Sequence, residues 1–368
     1  MLFVFAVFCV FVLIQLIYYT GIFTKFLSIK PENVQQQFSN PISVIVCAKN
    51  ELENLKKLIP QLLEQEYTNF ELVLVNDNSF DGTRELIDAY CEKYPNKIKA
   101  LHLDSYRDFY GSKKLPLTLG IKAAKHEHLL FTDADCIPNS TLWIQTMANQ
   151  FANNKSIVLG YGAYHTLPGF INTLIRYETV MTAIQYFSYA KLGVPYMGVG
   201  RNLAYTKSLF FENNGFASHM HIKSGDDDLF ISETATKENV GFCISEVGFT
   251  SSEPKLTFKD WIKQKRRHVT TSETYKTKTK LLLGLFYMSQ ILFWGLGLLL
   301  SIIPWELQFY TIGIMIIRLL VQLIILNSSC KKLNEKGIVG ISPILDLFLV
   351  LLQFYIFIRN IISKPTNW

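Results

Sequence analysis

Charge is scarce in this chain. Only 18% of its 368 residues are Asp, Glu, Lys or Arg, against roughly 25% in a typical soluble domain. The deficit is local. Leu2 to Phe23 and Leu281 to Pro304 carry no charge at all, while Leu307 to Leu326 and Ile338 to Ile358 carry one each, Arg318 and Asp346. Each stretch is near the roughly 20 residues that a membrane-spanning helix needs, which argues against a wholly water-soluble protein. The first stretch also lacks a basic leader and a small-x-small cleavage site, so it reads as an uncleaved anchor rather than a signal peptide. Cysteine is sparse and unpatterned. Cys9, Cys47, Cys91, Cys136, Cys243 and Cys330 form no CxxC pair and have no histidine at metal spacing, which excludes a zinc ribbon and a dithiol redox site and leaves them as packing residues. No GxGxxG or GxxxxGK[ST] is present, so neither a dinucleotide fold nor a P-loop is supported, and any bound phosphate must be handled by a metal. Repeats and low-complexity tracts are missing too.

What remains between about Lys30 and Lys280 has ordinary charge and turn chemistry. Ile42 to Cys47 is a short β-branched run, followed by Ala48-Lys49-Asn50-Glu51 and a helical pattern through Leu52, Leu55, Leu58, Ile59 and Leu62. The cycle repeats: Phe70 to Val75 reads as a strand, Asn76 to Thr83 as a polar turn and Arg84 to Lys93 as a helix. A third strand fits Ile98 to Leu103, a helix Leu115 to Lys125 and a fourth strand His128 to Thr132. Alternating strands and helices predict an α/β domain with a parallel sheet, whose ligands bind beyond the carboxyl ends of the strands.

The acids fall at those ends. Glu51, Asp77, Asp81 and Asp133-Ala134-Asp135 each follow directly on a predicted strand. Singly, Asn50 and Asp81-Gly82 are ordinary cap and turn residues. Two carboxylates two residues apart after a buried strand repel one another unless a cation stands between them. Hard oxygen ligands of this kind suit Mg²⁺ or Mn²⁺ bridging to a diphosphate.

Over about Pro41 to Val269 these motifs, in their order, resemble glycosyltransferase family 2, whose members carry a nucleotide-binding α/β domain of the GT-A fold. The resemblance implies that Glu51 helps hold the nucleoside and that Asp77, in Asn76-Asp77-Asn78-Ser79, contacts the base. Gly111-Ser112-Lys113-Lys114 is similar to the family's Gly-Lys segment, which makes Lys113 a donor-binding residue. Asp133-Ala134-Asp135 matches its DxD, with Asp133 on the donor and Asp135 the metal ligand. Gly200-Arg201-Asn202-Leu203-Ala204-Tyr205 resembles a segment near the acceptor, implying an acceptor-side Asn202. Gly225-Asp226-Asp227-Asp228-Leu229 resembles the segment that holds the catalytic base. Position assigns the base to Asp227 and leaves Asp226 on the acceptor side; three acids in a row keep Asp226 and Asp228 open as alternatives. Direct displacement at an anomeric carbon needs such a group to take the acceptor's proton. Gln264-Lys265-Arg266-Arg267-His268 resembles the QxxRW motif of membrane-bound members, with His268 in the place of Trp. Gln264 and Arg267 then face the diphosphate, where negative charge builds up, and His268 the acceptor. Lys263, Lys265 and Arg266 read as a juxtamembrane basic patch.

The expected organisation is an anchor over 1–24, a cytoplasmic GT-A domain over 41–270 and about three spans over 281–363. Lys25 and Lys30 after the first span and Lys276, Lys278 and Lys280 before the second place both ends of the middle domain in the cytoplasm of a multi-pass inner, or plasma, membrane protein. Lys331, Lys332 and Lys336 agree, whereas Arg359 and Lys364 do not. Phe170 to Leu192, interrupted by Arg176, Glu178 and Gln185, is either a surface helix opening to a lipid or a core helix. Trp261 suits an interfacial anchor, and Arg318 and Asp346, charged at membrane depth, are expected to pair. The formal charge of +6 gathers beside the spans and favours lipid headgroups over nucleic acid. The expected activity is inverting transfer of one sugar from a nucleotide-sugar, a UDP-sugar by family expectation, to a lipid or lipid-linked acceptor. The alternatives are a processive polysaccharide synthase and a membrane transport component with a nucleotide-sugar sensing domain.

Overall fold

The computed structural model describes residues 1–30, 38–104 and 112–363; Gly111 and Lys364 lie outside the described residues. The chain forms two compact units. Among the described residues, one takes Lys30–His165 and Pro195–Pro254; the other takes Met1–Ile29, Thr166–Val194 and 255–363.

The first unit is built on ten strands: β1 (Ile42–Ala48), β2 (Phe70–Asp77), β3 (Ile98–Leu103), β4 (His128–Phe131), β5 (Cys136–Pro138), β6 (Ile157–Leu159), β7 (Gly162–Tyr164), β8 (Leu203–Thr206), β9 (Val240–Phe242) and β10 (Thr250–Ser252). Seven make a sheet in the order β3-β2-β1-β4-β8-β6-β9, and β5-β10-β7 make a small second sheet. The four strands expected from the sequence are the parallel core, with β1 between β2 and β4. Because β1 and β2 are covered on both faces, they read as continuous apolar runs rather than alternating ones. The sheet is mixed, since β8 runs antiparallel to both β4 and β6.

The helix Lys114–Ala123 packs against this core through Gly120. A Cβ there would stand 2.9 Å from Ile45 and 3.0 Å from Val75, so only glycine permits the approach. Asn50 and Asn78 adopt left-handed backbone, with φ 56° and 51°, and turn the chain sharply at the carboxyl ends of β1 and β2. Asparagine tolerates that conformation better than most residues.

Among the described residues of the second unit, four helical stretches are long and apolar enough to cross a membrane: Leu2–Ser28, Thr277–Ile302, Gln308–Lys332 and Val339–Ile362. They match the four apolar stretches of the sequence. The helix Phe170–Lys191 joins them, and its alternative readings resolve toward a core helix, for 15 of its 22 residues are buried. Its charges are answered within the unit: Arg176 donates to Glu335 at 2.5 Å and Lys265 reaches Glu178 at 2.5 Å. The expected continuous domain over 41–270 therefore gives up Thr166–Val194 and the residues from Lys255 to this unit, because the apolar face of that helix is covered here. Trp261 is 1% exposed and packs inside, so the reading as an interfacial anchor is corrected. The basic patch is corrected in part. Lys265 pairs with Glu178, and Arg266 donates to Asn360 at 2.9 Å and to the carbonyl of Ser363.

Arg318 and Asp346 do pair. They stand 3.4 Å apart, both wholly buried. Asp346 also accepts from Tyr177 at 2.8 Å, Gln290 at 2.5 Å and Trp294 at 2.8 Å. Arg318 donates to Gln15 at 2.5 Å and to Gln322. One hydrogen-bonded cluster thus takes a side chain from each of the four apolar helices and from Phe170–Lys191. Asp346→Leu strands a buried cation, and a loss of about 3–5 kcal/mol is expected, read as reduced folded yield and an earlier melt in detergent. Arg318→Leu/Asp346→Leu removes both charges and should melt later than Asp346→Leu alone; an equal or earlier melt would contradict the pairing.

Candidate active site

The site forms where β1, β2 and β4 end. Loops after β1 and β2 brace each other. The Asn50 amide N–H donates to Ser79 at 2.9 Å, the Phe80 N–H to the Asn50 side chain at 2.9 Å, the Leu52 N–H to Asp81 at 3.1 Å and the Glu51 N–H to Thr83 at 3.0 Å. Asp81 also accepts from the Thr83 hydroxyl at 2.6 Å, which with the Leu52 bond holds its carboxyl below the usual range. Asn50 and Asp81 are thus the turn residues that their types suggest. They leave Glu51, whose carboxylate accepts from Asn54 at 2.5 Å, and Asp77, 3.4 Å from Lys49, on the rim.

Asp133 and Asp135 follow β4. Their carboxylate oxygens and the Cys136 sulfur lie within 4.8 Å of one another. Burial first, and Asp133 second, raise the Asp135 carboxyl, the response of a carboxylate held beside a like charge. Burial pushes the Cys136 thiol well up, so it stays an S–H donor to Asp135 at 3.6 Å rather than a thiolate ligand. The fitting donor set is two carboxylates, which suits a hard cation such as Mg²⁺ or Mn²⁺.

Asp226 and Asp227 line a pocket with Cys47, Lys113, Phe131, Gly200 and Tyr205 among others. Asp227 caps the helix Asp228–Thr234, accepting from the Asp228 N–H at 2.7 Å and from the Gly200 N–H at 2.8 Å. Even so, burial and then its neighbours Asp226 and Asp228 raise its carboxyl to about 8. Asp228 is buried and accepts from the Leu229 N–H at 2.8 Å. Between the two acid groups stands Lys113. Its ammonium pairs with Asp133 and lies 3.9 Å from Asp226. Burial opposes its charge, but Asp133 and Asp226 outweigh burial and carry its pKa well above that of an ordinary lysine. Burial pushes the nearby Cys47 thiol up to about 12, in keeping with a packing role.

Asn202 is placed differently from its sequence reading. It is wholly buried, accepts from the Trp143 indole at 3.1 Å and donates to the carbonyls of Tyr161 at 3.0 Å and Gly248 at 2.8 Å. Both of its amide protons and its amide oxygen are thus engaged inside the unit. Gln264, Arg267 and His268 lie on the helix Phe258–Val269, in the unit of the apolar helices. Two residues escaped the sequence reading. Arg201 stacks 4.1 Å over Tyr164, bonds the Ala163 carbonyl and Ser252, and adds positive charge near Asp135. Lys114 is wholly buried; its signal was the spacing Lys114, Leu117, Ile121, which puts a lysine on the apolar face of its helix.

Residues 43–202 match the model of Glycosyl transferase family 2. Glycosyltransferase GlyG of Streptococcus pneumoniae is 30% identical over 33% of this chain and 39% of its own length. Glycosyltransferase AglE of Haloferax volcanii is 25% identical over 50% of this chain and 58% of its own. The chain thus spans less than two thirds of the curated relatives it matches. Among solved structures, the mannosyltransferase PcManGT of Pyrobaculum calidifontis, in complex with GDP-Man and Mn²⁺, superposes with a TM-score of 0.59 at 15% identity, covering 97% of both chains. The fold is that of the GT-A glycosyltransferases. The chain is similar to glycosyltransferase family 2 over the domain matched at 43–202.

A carboxyl raised to about 8 in the folded chain and near 4 in the unfolded one binds a proton longer when folded. Below about pH 4 both states are protonated and nothing is lost. As pH climbs from there the folded state must give up its preference, so stability falls until about pH 8. The melting temperature of the metal-free, full-length protein should accordingly drop relative to that of Asp227→Asn between about pH 4 and pH 8. A gap that stays constant across this range would show that Asp227 is not raised.

Proposed function

We propose that the protein is an inverting, metal-dependent hexosyltransferase that moves one sugar from a nucleotide-sugar, a UDP-sugar, to a lipid or lipid-linked acceptor at the cytoplasmic face of the inner, or plasma, membrane. The observation that carries the reading is that two acid groups meet at Lys113: its ammonium pairs with Asp133 of the Asp133/Asp135 pair and lies 3.9 Å from Asp226, which lines a pocket with Lys113 and Asp227. A binding or sensing module has no use for a carboxylate raised to about 8, whereas a general base gains strength from it.

In this reading Glu51 and Asp77 hold the nucleoside. Asp135, with Asp133 beside it, holds Mg²⁺ or Mn²⁺, which when bound offsets the charge of the diphosphate. Lys113 turns from Asp133 toward the donor. Asp227 takes the proton of the acceptor hydroxyl as its oxygen bonds to the anomeric carbon and the bond to the diphosphate breaks; one displacement inverts that carbon. Asp226 orients the acceptor. Gln264 and Arg267 steady the leaving diphosphate and His268 the acceptor, roles that rest on the resemblance of their motif. The four apolar helices support an acceptor that resides in the membrane.

The test is turnover by membranes carrying the protein, supplied with UDP- and GDP-sugars, Mn²⁺ or Mg²⁺ and a total lipid extract, with free nucleotide and labelled lipid followed together. A labelled lipid should form only with metal. Asp135→Ala should lose metal-dependent nucleotide binding, and Asp227→Asn should bind nucleotide yet turn over about 10²–10⁴-fold more slowly. Lipid extended by repeated addition would point to a processive synthase instead. Nucleotide binding with no turnover of any donor would point to the sensing module.

A further inference from the structure

Two consecutive lysines open the helix Lys114–Ala123 and diverge. Lys113 reaches the cleft, while Lys114 turns to the opposite wall and is wholly buried. Its ammonium donates to the carbonyl of His219 at 2.6 Å and of Ile222 at 2.9 Å. Those carbonyls belong to a turn closed by its own backbone bond, Ile222 N–H to His219 oxygen at 3.0 Å. Gly225 follows in left-handed backbone at φ 101°, then Asp226, Asp227 and Asp228. Few buried residues are lysine, and those that persist are paired. Here two carbonyls take two ammonium protons, and the charge faces carboxylates on the acid loop and its helix: burial lowers Lys114 to about 8, opposed by Asp226, Asp228, Glu233 and Asp227. The side chain of His219, the other titratable group facing it, is itself lowered by burial and by Lys114.

We infer that Lys114 is a positioning residue for the acid loop: it ties the turn His219–Ile222 to the helix that carries Lys113, and so fixes Asp226 and Asp227 against the donor side of the pocket. The inference rests on the proposed activity and deepens it. One helix start holds both reacting sides, Lys113 by Asp133 and Lys114 by the loop that bears the base. Lys114 touches neither donor nor acceptor. Its loss should therefore displace the base while leaving the donor site intact, and a displacement of about 1 Å costs on the order of 100-fold in rate.

Lys114→Met, Lys114→Arg and Asp227→Asn are compared in the full-length protein by kcat, donor KM, metal-dependent nucleotide binding and melting temperature. Lys114→Met should lower kcat by about 100-fold with donor KM and nucleotide binding unchanged, and Lys114→Arg, which keeps the charge and donors, should recover most of that loss. An unchanged kcat would overturn the inference. So would a fall in kcat matched by a fall in nucleotide binding, since that is what general loosening of the fold produces. If Lys114→Met does not fold, Lys114→Gln takes its place: lowered kcat at unchanged donor KM supports the inference, and an unchanged kcat or equal changes in both oppose it. Activity retained by Asp227→Asn would overturn the proposed function; activity lost there and kept by Lys114→Met would overturn this inference alone.

Discussion

Like charge crowded at one sheet edge is the constraint around which the catalytic unit is arranged. Asp77, Asp133, Asp135, Asp226 and Asp227 gather near the ends of β1, β2 and β4, and buried carboxylates repel strongly. The protein answers with a cation from within. Lys113 pairs with Asp133 and stands 3.9 Å from Asp226, so the DxD group and the acid loop share one ammonium. A divalent cation with a diphosphate would bring its own balance of charge to the same place. The internal pair links the two acid groups and stays open to exchange, since Lys113 keeps a fifth of its side chain exposed.

That arrangement needs the Lys113 backbone to lie close over the sheet, and the sequence secures it with small means. Gly120 lets the helix sink onto Ile45 and Val75. Asn50 and Asn78 turn the two loops back on themselves, and Asp81 and Thr83 tie them together. None of these side chains needs to meet a ligand. Their effect is to fix where Glu51 and Asp77 stand, which is how preorganisation for binding is achieved without lengthening the list of contacts.

Local signals were legible in the sequence and long-range ones were not. The four parallel strands, the helices between them, the apolar stretches and the acids at strand ends all follow from runs of neighbouring residues; the structure has the strands and their helices within a residue or two, while the apolar helices run past their expected ends, Gln308–Lys332 as far as Lys332 rather than Leu326. The pairing of Arg318 with Asp346 was legible because two lone charges at membrane depth have few other options. Asn202 shows the limit. Its motif resembles one near an acceptor, but Trp143, Tyr161 and Gly248, far off in sequence, claim its amide. Trp261 is similar: composition suggests an anchor, packing buries it. Lys114 was missed because lysine is read as a surface residue, although its helical spacing with Leu117 and Ile121 placed it inward.

The division of the chain was the least legible feature, and the reason is physical. The helix Phe170–Lys191 has too many polar residues to look like part of a membrane unit, yet those residues are its links to that unit. Tyr177 donates to Asp346, Arg176 donates to Glu335, and Glu178 forms an ion pair with Lys265. Apolar contact alone is non-directional, so specific association falls to close packing and to hydrogen bonds between polar side chains. A helix with three such groups is held more selectively than a uniformly apolar one. Hydropathy, which counts the same groups as evidence against membership, reads the sign of their contribution backwards whenever their partners are distant in the chain.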